Sequence, residues 1–352
     1  MQGPRNDTAT AIDDKRPGLL ERLASGAVIC AEGYLFECER RGYLQAGAYV
    51  PEVVLEHPEV VTQLHRDFVH AGSDVVEAFT YYAHREKLRV IDREDVLEPL
   101  NRQALEIAKA VAEESGTLLA GNISNTNIYT PDTHDEVRKM FVEQVGWAVE
   151  AGVDYIIGET FGAGAEAILA CEVIKETGLP AVVTFVPDFD RGPTEGWTAA
   201  ETCVRLEDAG ADVVGLNCCL GPDTMYPYLA PIVRSVSVPV AALPVPYRTH
   251  YREPAMQTLT DDRLGVRPFP VALDPFTCNR FEIAEFTRLA YDAGVRYIGL
   301  CCGAGPHHIR AVAETLGRTP PASRYSADIS KHYHYAGEAL RYSPVTDVAS
   351  RS

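Results

Sequence analysis

The 352-residue chain is short of positive charge: 32 lysines and arginines face 50 aspartates and glutamates, giving a formal net charge of -18. Such a field repels phosphate backbones and anionic lipid headgroups, which argues against nucleic-acid binding. Apolar runs of about eighteen residues are also absent, so no membrane span is expected. The polar start MQGPRNDTATAIDDKRP lacks the apolar stretch of a signal peptide, and a cytoplasmic location is the expectation. The nine cysteines show no zinc-ribbon or zinc-finger spacing. Without an export signal they read as thiols or metal ligands rather than disulfides.

What is present is an ordinary globular composition, 46% hydrophobic and 23% charged, sufficient for a sizeable core. Short β-rich runs alternate with amphipathic helical stretches, the mark of βαβ units and a parallel sheet. Eight candidate strands are legible: Ala27 to Gly33, Ser73 to Thr80, Leu118 to Ser124, Val153 to Glu159, Ala181 to Val186, Asp212 to Asn217, Pro239 to Leu243 and Tyr297 to Cys301. Helical patterns fall at Val60 to Ala71, Pro99 to Ser115, Asp135 to Ala151, Ala163 to Thr177, Ala199 to Ala209, Arg280 to Ala293 and Pro306 to Leu316. Three of these helices end in similar phrases, Ala-Gly-Val-Asp-Tyr-Ile at 151, Ala-Gly-Ala-Asp-Val-Val at 209 and Ala-Gly-Val-Arg-Tyr-Ile at 293, in which glycine suits a left-handed helix cap. Eight units predict an α/β fold, a single (β/α)8 TIM-type barrel over residues 18–318. A flexible segment 1–17 and a tail 319–352 are expected to flank it. A doubly wound open sheet uses the same units and is the alternative.

Barrel chemistry sits at the C-terminal ends of the strands. Cys218 and Cys219 close the sixth strand, and Cys301 and Cys302 close the eighth. Neighbouring residues on a regular strand face opposite ways, so Cys301 and Cys302 reach one ion only if the strand stops there; Gly303 permits that turn. Three thiolates leave a fourth position of a tetrahedral zinc open, as in catalytic sites. The alternative is that small apolar cysteines merely pack the barrel mouth, which is the expectation for Cys30, Cys38, Cys171, Cys203 and Cys278.

Val214-Gly-Leu-Asn-Cys218 and Tyr297-Ile-Gly-Leu-Cys-Cys-Gly303 resemble the two zinc-binding segments of the homocysteine S-methyltransferase family. The likeness runs from Gly18-Leu-Leu-Glu-Arg-Leu23 to Pro320-Pro-Ala-Ser323 and is strongest toward the betaine-homocysteine methyltransferases. Glu56-His-Pro-Glu-Val-Val61, Ala78-Phe-Thr-Tyr-Tyr-Ala83, Glu86-Lys-Leu88 and Pro306-His-His-Ile-Arg-Ala311 carry it. The resemblance implies Zn2+ held by Cys218, Cys301 and Cys302, a small-molecule thiol acceptor and a cationic methyl donor, the expected product being methionine. It implies that Glu159 binds the acceptor's amino group. Tyr49, Tyr81 and Tyr82 fall where the relatives carry donor-site aromatics, and aromatic faces suit onium cations. A coordinated thiol is deprotonated at neutral pH, as methyl transfer requires.

The sequence also departs from that pattern. Where relatives carry Asp-Gly-Gly after the first strand, this chain has Ala31-Glu32-Gly33, so Glu32 and Gly33 are the expected acceptor contacts and another thiol acceptor stays open. Thr160 stands where betaine-using relatives place tyrosine, and Leu243-Pro244-Val245-Pro246 lacks an expected glutamine. The long oligomerisation arm of relatives is replaced by a short tail containing His332 and His334, so any homo-oligomer needs a different interface. Two rival functions remain. Gly162-Ala-Gly164-Ala-Glu-Ala167 fits a dinucleotide fingerprint, though after the fourth strand rather than the first. A non-catalytic barrel holding a betaine-like osmolyte would have no use for the cysteine trio.

Overall fold

In the computed structural model, residues 16–187 and 195–325 are described. The strands are β1 (Val28–Ala31), β2 (Val75–Glu77), β3 (Leu118–Ser124), β4 (Tyr155–Phe161), β5 (Ala181–Phe185), β6 (Val213–Asn217), β7 (Val240–Leu243) and β8 (Tyr297–Leu300). Their near-continuous apolar sequence reflects burial on both faces, as parallel sheets require. They pair in parallel in the order β1-β8-β7-β6-β5-β4-β3-β2. Asp74 ties the remaining seam: its N–H donates to the Ile29 carbonyl at 2.8 Å, and the Ile29 N–H donates to Asp74 Oδ2 at 2.8 Å. The sheet is therefore a nearly closed barrel, which disposes of the open-sheet alternative.

The repeated phrases acquire a structural meaning here. Asp154 and Asp212 repeat the Asp74 device, accepting from the backbone N–H groups of Leu119 (2.7 Å) and Ala181 (2.8 Å) on the preceding strands. Each aspartate also meets a cation: Arg318 for Asp74, Arg16 for Asp154 and Lys175 for Asp212. In the last copy Arg296 replaces the acid and donates to the Tyr291 and Val295 carbonyls instead. The glycines before them, such as Gly152 at φ 77°, stop the helix in the left-handed region.

Helix α1 (Leu19–Ser25) plugs the N-terminal mouth, where Leu19 and Leu23 join inward-facing Val28, Leu118, Tyr155 and Tyr297 in one apolar cluster. After β1 come α2 (Tyr34–Arg40), α3 (Val53–Glu56) and α4 (Pro58–Ala71), and after β2 come α5 (Arg85–Val90) and α6 (Leu97–Ser115). Helices α7 (His134–Ala151), α8 (Gly164–Lys175), α9 (Ala199–Asp208) and α10 (Pro222–Ser235) follow β3 to β6 in turn. Helix α11 (Arg280–Asp292) precedes β8, and α12 (Pro306–Thr315) completes the ring. Outward-facing strand residues pack against this ring in a second, larger cluster.

Two details depart from the sequence reading. Strand β4 continues past Glu159 to Phe161 across a register shift, with Thr160 at φ 61°. Helix α10 escapes the periodicity analysis because it contains Pro227 and Pro231. Among the described residues no helix is long and apolar enough to cross a membrane. His332 and His334 lie outside the described residues.

Candidate metal centre and active site

The strand ends deliver the cysteines. Strand β8 stops at Leu300, and a turn closed by the Ala304 N–H to Cys301 carbonyl bond (3.1 Å) follows, with Gly303 at φ 90°. Regular alternation is thus broken where both thiols must face one way, and Cys301 Sγ lies 3.9 Å from Cys302 Sγ. Strand β6 stops at Asn217, and Cys218 turns in with φ 59°. The sulfurs of Cys218, Cys301 and Cys302 all lie within 4.8 Å of one another, and all three residues are buried. Zinc–sulfur bonds of ~2.3 Å at tetrahedral angles set sulfurs about 3.8 Å apart, so this donor set fits one zinc ion. Hydrogen bonds from Cys218 and Cys301 lower the Cys302 thiol to about 6, so one member is already a thiolate near neutrality. Cys219 neighbours Cys218 through its thiol, and its sulfur also accepts from Gln257 Nε2 at 3.1 Å.

Three buried carboxylates stand beside the thiols. Glu32, Glu77 and Glu159 are 6%, 2% and 4% exposed, and among the described residues none forms an ion pair. Two amides hold them: Asn122 Nδ2 donates to Glu77 Oε1 (2.6 Å) and Glu159 Oε1 (2.7 Å), while Asn217 Nδ2 donates to Glu159 Oε2 (2.7 Å). The Thr160 N–H donates to Asn217 Oδ1 at 2.9 Å, and Asn217 Nδ2 also meets Thr160 Oγ1 at 2.8 Å. Burial raises all three carboxyls: Glu159 to about 7, Glu32 and Glu77 well above the ordinary range, the last two pushed further by the Glu159 charge. Burial without a counter-charge explains the direction. A carboxylate oxygen of Glu32 lies within 4.8 Å of one from Glu159 and of Cys301 Sγ, so the residue after Ala31 does reach the site.

The tyrosines rim this space. Tyr81 lines a cavity with Glu32, Glu77, Asn122, Glu159, Cys301 and Cys302, and its ring lies 4.2 Å from that of Tyr82. Lys87 Nζ already occupies one face of Tyr82, 3.9 Å from the ring centre. Tyr49 packs on Phe36 at 5.8 Å, and its buried hydroxyl has no hydrogen-bond partner among the described residues. Gly33 is obligatory for a different reason: a Cβ there would sit 2.2 Å from the Ala304 carbonyl oxygen, in the turn beyond Cys302. Tyr49, Tyr82, Thr160, Cys218 and Cys219 all hold left-handed φ of 54–61°, and such strain in non-glycine residues clusters where structure serves function.

Residues 33–316 match the family model described as homocysteine S-methyltransferase. The chain belongs to the homocysteine S-methyltransferase family. It is 40% identical over 328 residues to betaine–homocysteine S-methyltransferase 1 of Danio rerio, covering 89% of this chain and 80% of that one. With the S-methylmethionine–homocysteine S-methyltransferase of Pongo abelii it shares 36% identity over 315 residues, 87% and 84% of the two chains. The metallated form of the homocysteine methyltransferase MmuM from Escherichia coli superposes with a TM-score of 0.64 at 18% identity, covering 82% of this chain and 96% of that one; this is a likeness of fold. The protein is thus a methyltransferase-type enzyme.

The geometry of this methyltransferase also disposes of the dinucleotide reading. A Cβ at Gly164 would meet the Trp197 ring at 2.9 Å, so glycine is there for packing. The Ala165 N–H, at the helix start a phosphate would use, donates to Glu195 Oε1 at 3.1 Å. Sequence reasoning missed Glu77, Asn122 and Asn217. The available signal was a polar residue at an inward position in an otherwise apolar barrel strand. It also missed Arg40 of α2, which donates to the Gly303 carbonyl (3.1 Å) and the Tyr247 hydroxyl (2.7 Å) behind the cysteine turn. Cys30, expected only to pack, places its sulfur within 4.8 Å of carboxylate oxygens of Glu32 and Glu77.

Proposed function

We propose that this enzyme is a zinc-dependent thiol S-methyltransferase that moves a methyl group from a betaine-like onium donor to homocysteine, within a catalytic barrel spanning residues 18–318. The observation that carries the reading is the convergence of three buried thiols beside unpaired carboxylates and a tyrosine rim. Cys218, Cys301 and Cys302 are the residues that would hold Zn2+. When bound, the ion supplies a position at which an incoming thiol loses its proton at neutral pH.

The protein's own groups then do the rest. Glu159 and Glu32 bind the acceptor's amino group, and their position beside Cys301 directs its sulfur toward the thiol trio. Gly33 leaves room for the turn that presents Cys301 and Cys302. Thr160, through Asn217, keeps Glu159 oriented. Tyr49, Tyr81 and the open part of Tyr82 bind the methyl donor's cation. The acceptor sulfur attacks the methyl carbon, a carbon–sulfur bond forms, and the bond from carbon to the onium centre breaks. The leaving group departs neutral with the electron pair, which is why an onium donor serves.

The test is incubation of zinc-loaded enzyme with homocysteine and glycine betaine, dimethylsulfoniopropionate or S-methylmethionine, followed by quantification of methionine. Methionine formed with at least one donor and lost in Cys218→Ala supports the reading. No methionine with any of them sinks it.

A further inference from the structure

Four thiols meet at the barrel mouth, and the proposed zinc site employs three. Strand β6 ends at Asn217, and Cys218 and Cys219 follow it with φ of 59° and 54°. Two successive left-handed residues make a turn in place of an alternating strand, so their side chains are not sent to opposite faces. The thiols meet: the Cys219 S–H donates to the Cys218 sulfur. From the loop after β7, Gln257 Nε2 donates to the Cys219 sulfur at 3.1 Å, and the Met256 N–H donates to the Cys219 carbonyl at 2.8 Å. Cys219 is therefore held against Cys218 from both ends.

Exposure separates this fourth thiol from the trio. Cys218, Cys301 and Cys302 are 3%, 2% and 8% exposed, whereas Cys219 is only partly buried. A hydrated cation that reaches a buried trio must shed its waters, and shedding them before protein ligands take their place leaves a charge without compensation in a poorly solvated interior. A metal site thus needs an entry path as well as a ligand set. We propose that Cys219 is the loading thiol of this site, which captures zinc together with Cys218 at the barrel mouth and hands the ion inward to Cys301 and Cys302. Each thiol that bonds to the ion gives its proton to water. Once the Cys301 and Cys302 sulfurs have bonded, the bond from Cys219 breaks, and its sulfur regains a proton from water and returns to Gln257 Nε2. The three sulfurs that keep the ion are the ones that lie within 4.8 Å of one another. Because Cys219 touches the ion only in transit, it speeds entry and exit by one factor and leaves the equilibrium alone. The inference rests on the proposed reading of the trio as a zinc site.

The experiment follows zinc rather than turnover. Uptake is timed by stopped flow when reduced, metal-free protein is mixed with zinc and a chromophoric chelator; release is timed when zinc-loaded protein meets excess chelator, and competition at equilibrium gives the affinity. Cys219→Ser is expected to slow uptake and release each about tenfold, the effect of one modest contact made only in the transition state, with affinity and stoichiometry unchanged. A second measurement needs no variant. Iodoacetamide applied to the zinc-loaded parent is expected to alkylate Cys219 ahead of the ligated trio, and release from the alkylated protein should slow at least as much. Parent rates in Cys219→Ser, or after alkylation of Cys219, overturn the proposal. Weakened affinity with parent uptake overturns it as well, since that is the mark of a resident ligand. A parent protein that binds no zinc refutes the zinc reading together with this inference, whereas zinc binding with rates untouched by either change refutes the inference alone.

Discussion

Replacing Gly303 by alanine tests the account where backbone geometry meets the metal centre. Gly303 follows Cys302 at φ 90°, a region that costs a residue with a Cβ about 1–2 kcal/mol. The new Cβ would stand 2.2 Å from the Tyr247 hydroxyl oxygen and 2.6 Å from Tyr247 Cζ. Relief requires the ring to retreat by roughly 1 Å, the gap to ordinary van der Waals contact. Tyr247 is fully buried, and its hydroxyl is held at 2.7 Å by Arg40 Nη2, so retreat breaks a bond to a charged donor worth about 1.5–3 kcal/mol. The sum is ~2.5–5 kcal/mol. Because Arg40 also holds the Gly303 carbonyl, the turn presenting Cys301 and Cys302 moves with it. Urea unfolding of Gly303→Ala is expected to show that loss, and competition with a chromophoric chelator a zinc affinity reduced at least about tenfold, the usual scale for disturbed outer partners of a metal site. In a Tyr247→Leu background, which removes the obstructing ring atoms, the same change should cost only the backbone part, about 1–2 kcal/mol. An equal cost in both backgrounds, or under about 0.5 kcal/mol in the parent, would refute the reasoning.

Other parts of the structure yield shorter tests. Asp74→Ala removes the acceptor that ties β1 to β2, and a loss of about 2–3 kcal/mol in urea unfolding is expected, with activity per folded molecule retained; an effect below ~0.5 kcal/mol would mean that the seam is held elsewhere. His65 is buried against Tyr34, both ring nitrogens lack a hydrogen-bond partner among the described residues, and burial lowers its pKa to about 3. Between pH 6.5 and 3 the unfolded chain binds a proton that the folded one refuses, so this residue makes stability fall as pH falls, by ~1.4 kcal/mol per unit. The buried Glu32 and Glu77 carry raised pKa values and act with the opposite sign, so the comparison is made with His65→Phe, whose stability slope should be smaller by one proton; identical slopes would refute the assignment. Metal removal with a strong chelator should expose three thiols to a thiol-specific reagent, with Cys302 reacting fastest at pH 7; uniform rates would contradict its lowered pKa.

Much of this was legible in the chain because local rules and the global fold agree. The eight apolar runs, the glycine-capped helices and the break after Leu300 each follow from periodicity or from one residue's conformational freedom. What stayed hidden is non-local. Glu77 lies within an apolar strand, and its partner Asn122 is 45 residues away; neither the pair nor its shared bond to Glu159 has a sequence signature. Glu32 is an expected acceptor contact in the sequence, but its proximity to Glu159 and Cys301, far away along the chain, belongs to the fold. Arg40 lies on α2, a helix with no clear periodic signal, and acts on a turn 263 residues later. Thr160 and Cys218 adopt left-handed φ that their residue types disfavour, so propensity alone points away from the conformations the site uses.

The central claim is that Cys218, Cys301 and Cys302 hold one zinc with a position open to the acceptor thiol. X-ray absorption at the zinc edge, recorded on purified enzyme before and after addition of homocysteine, tests it most directly. The account predicts one zinc per chain, three sulfur neighbours at ~2.3 Å in the free enzyme and four with homocysteine, and loss of the ion in Cys218→Ala. An unchanged sulfur count on adding homocysteine, or full zinc retention by the variant, would contradict it.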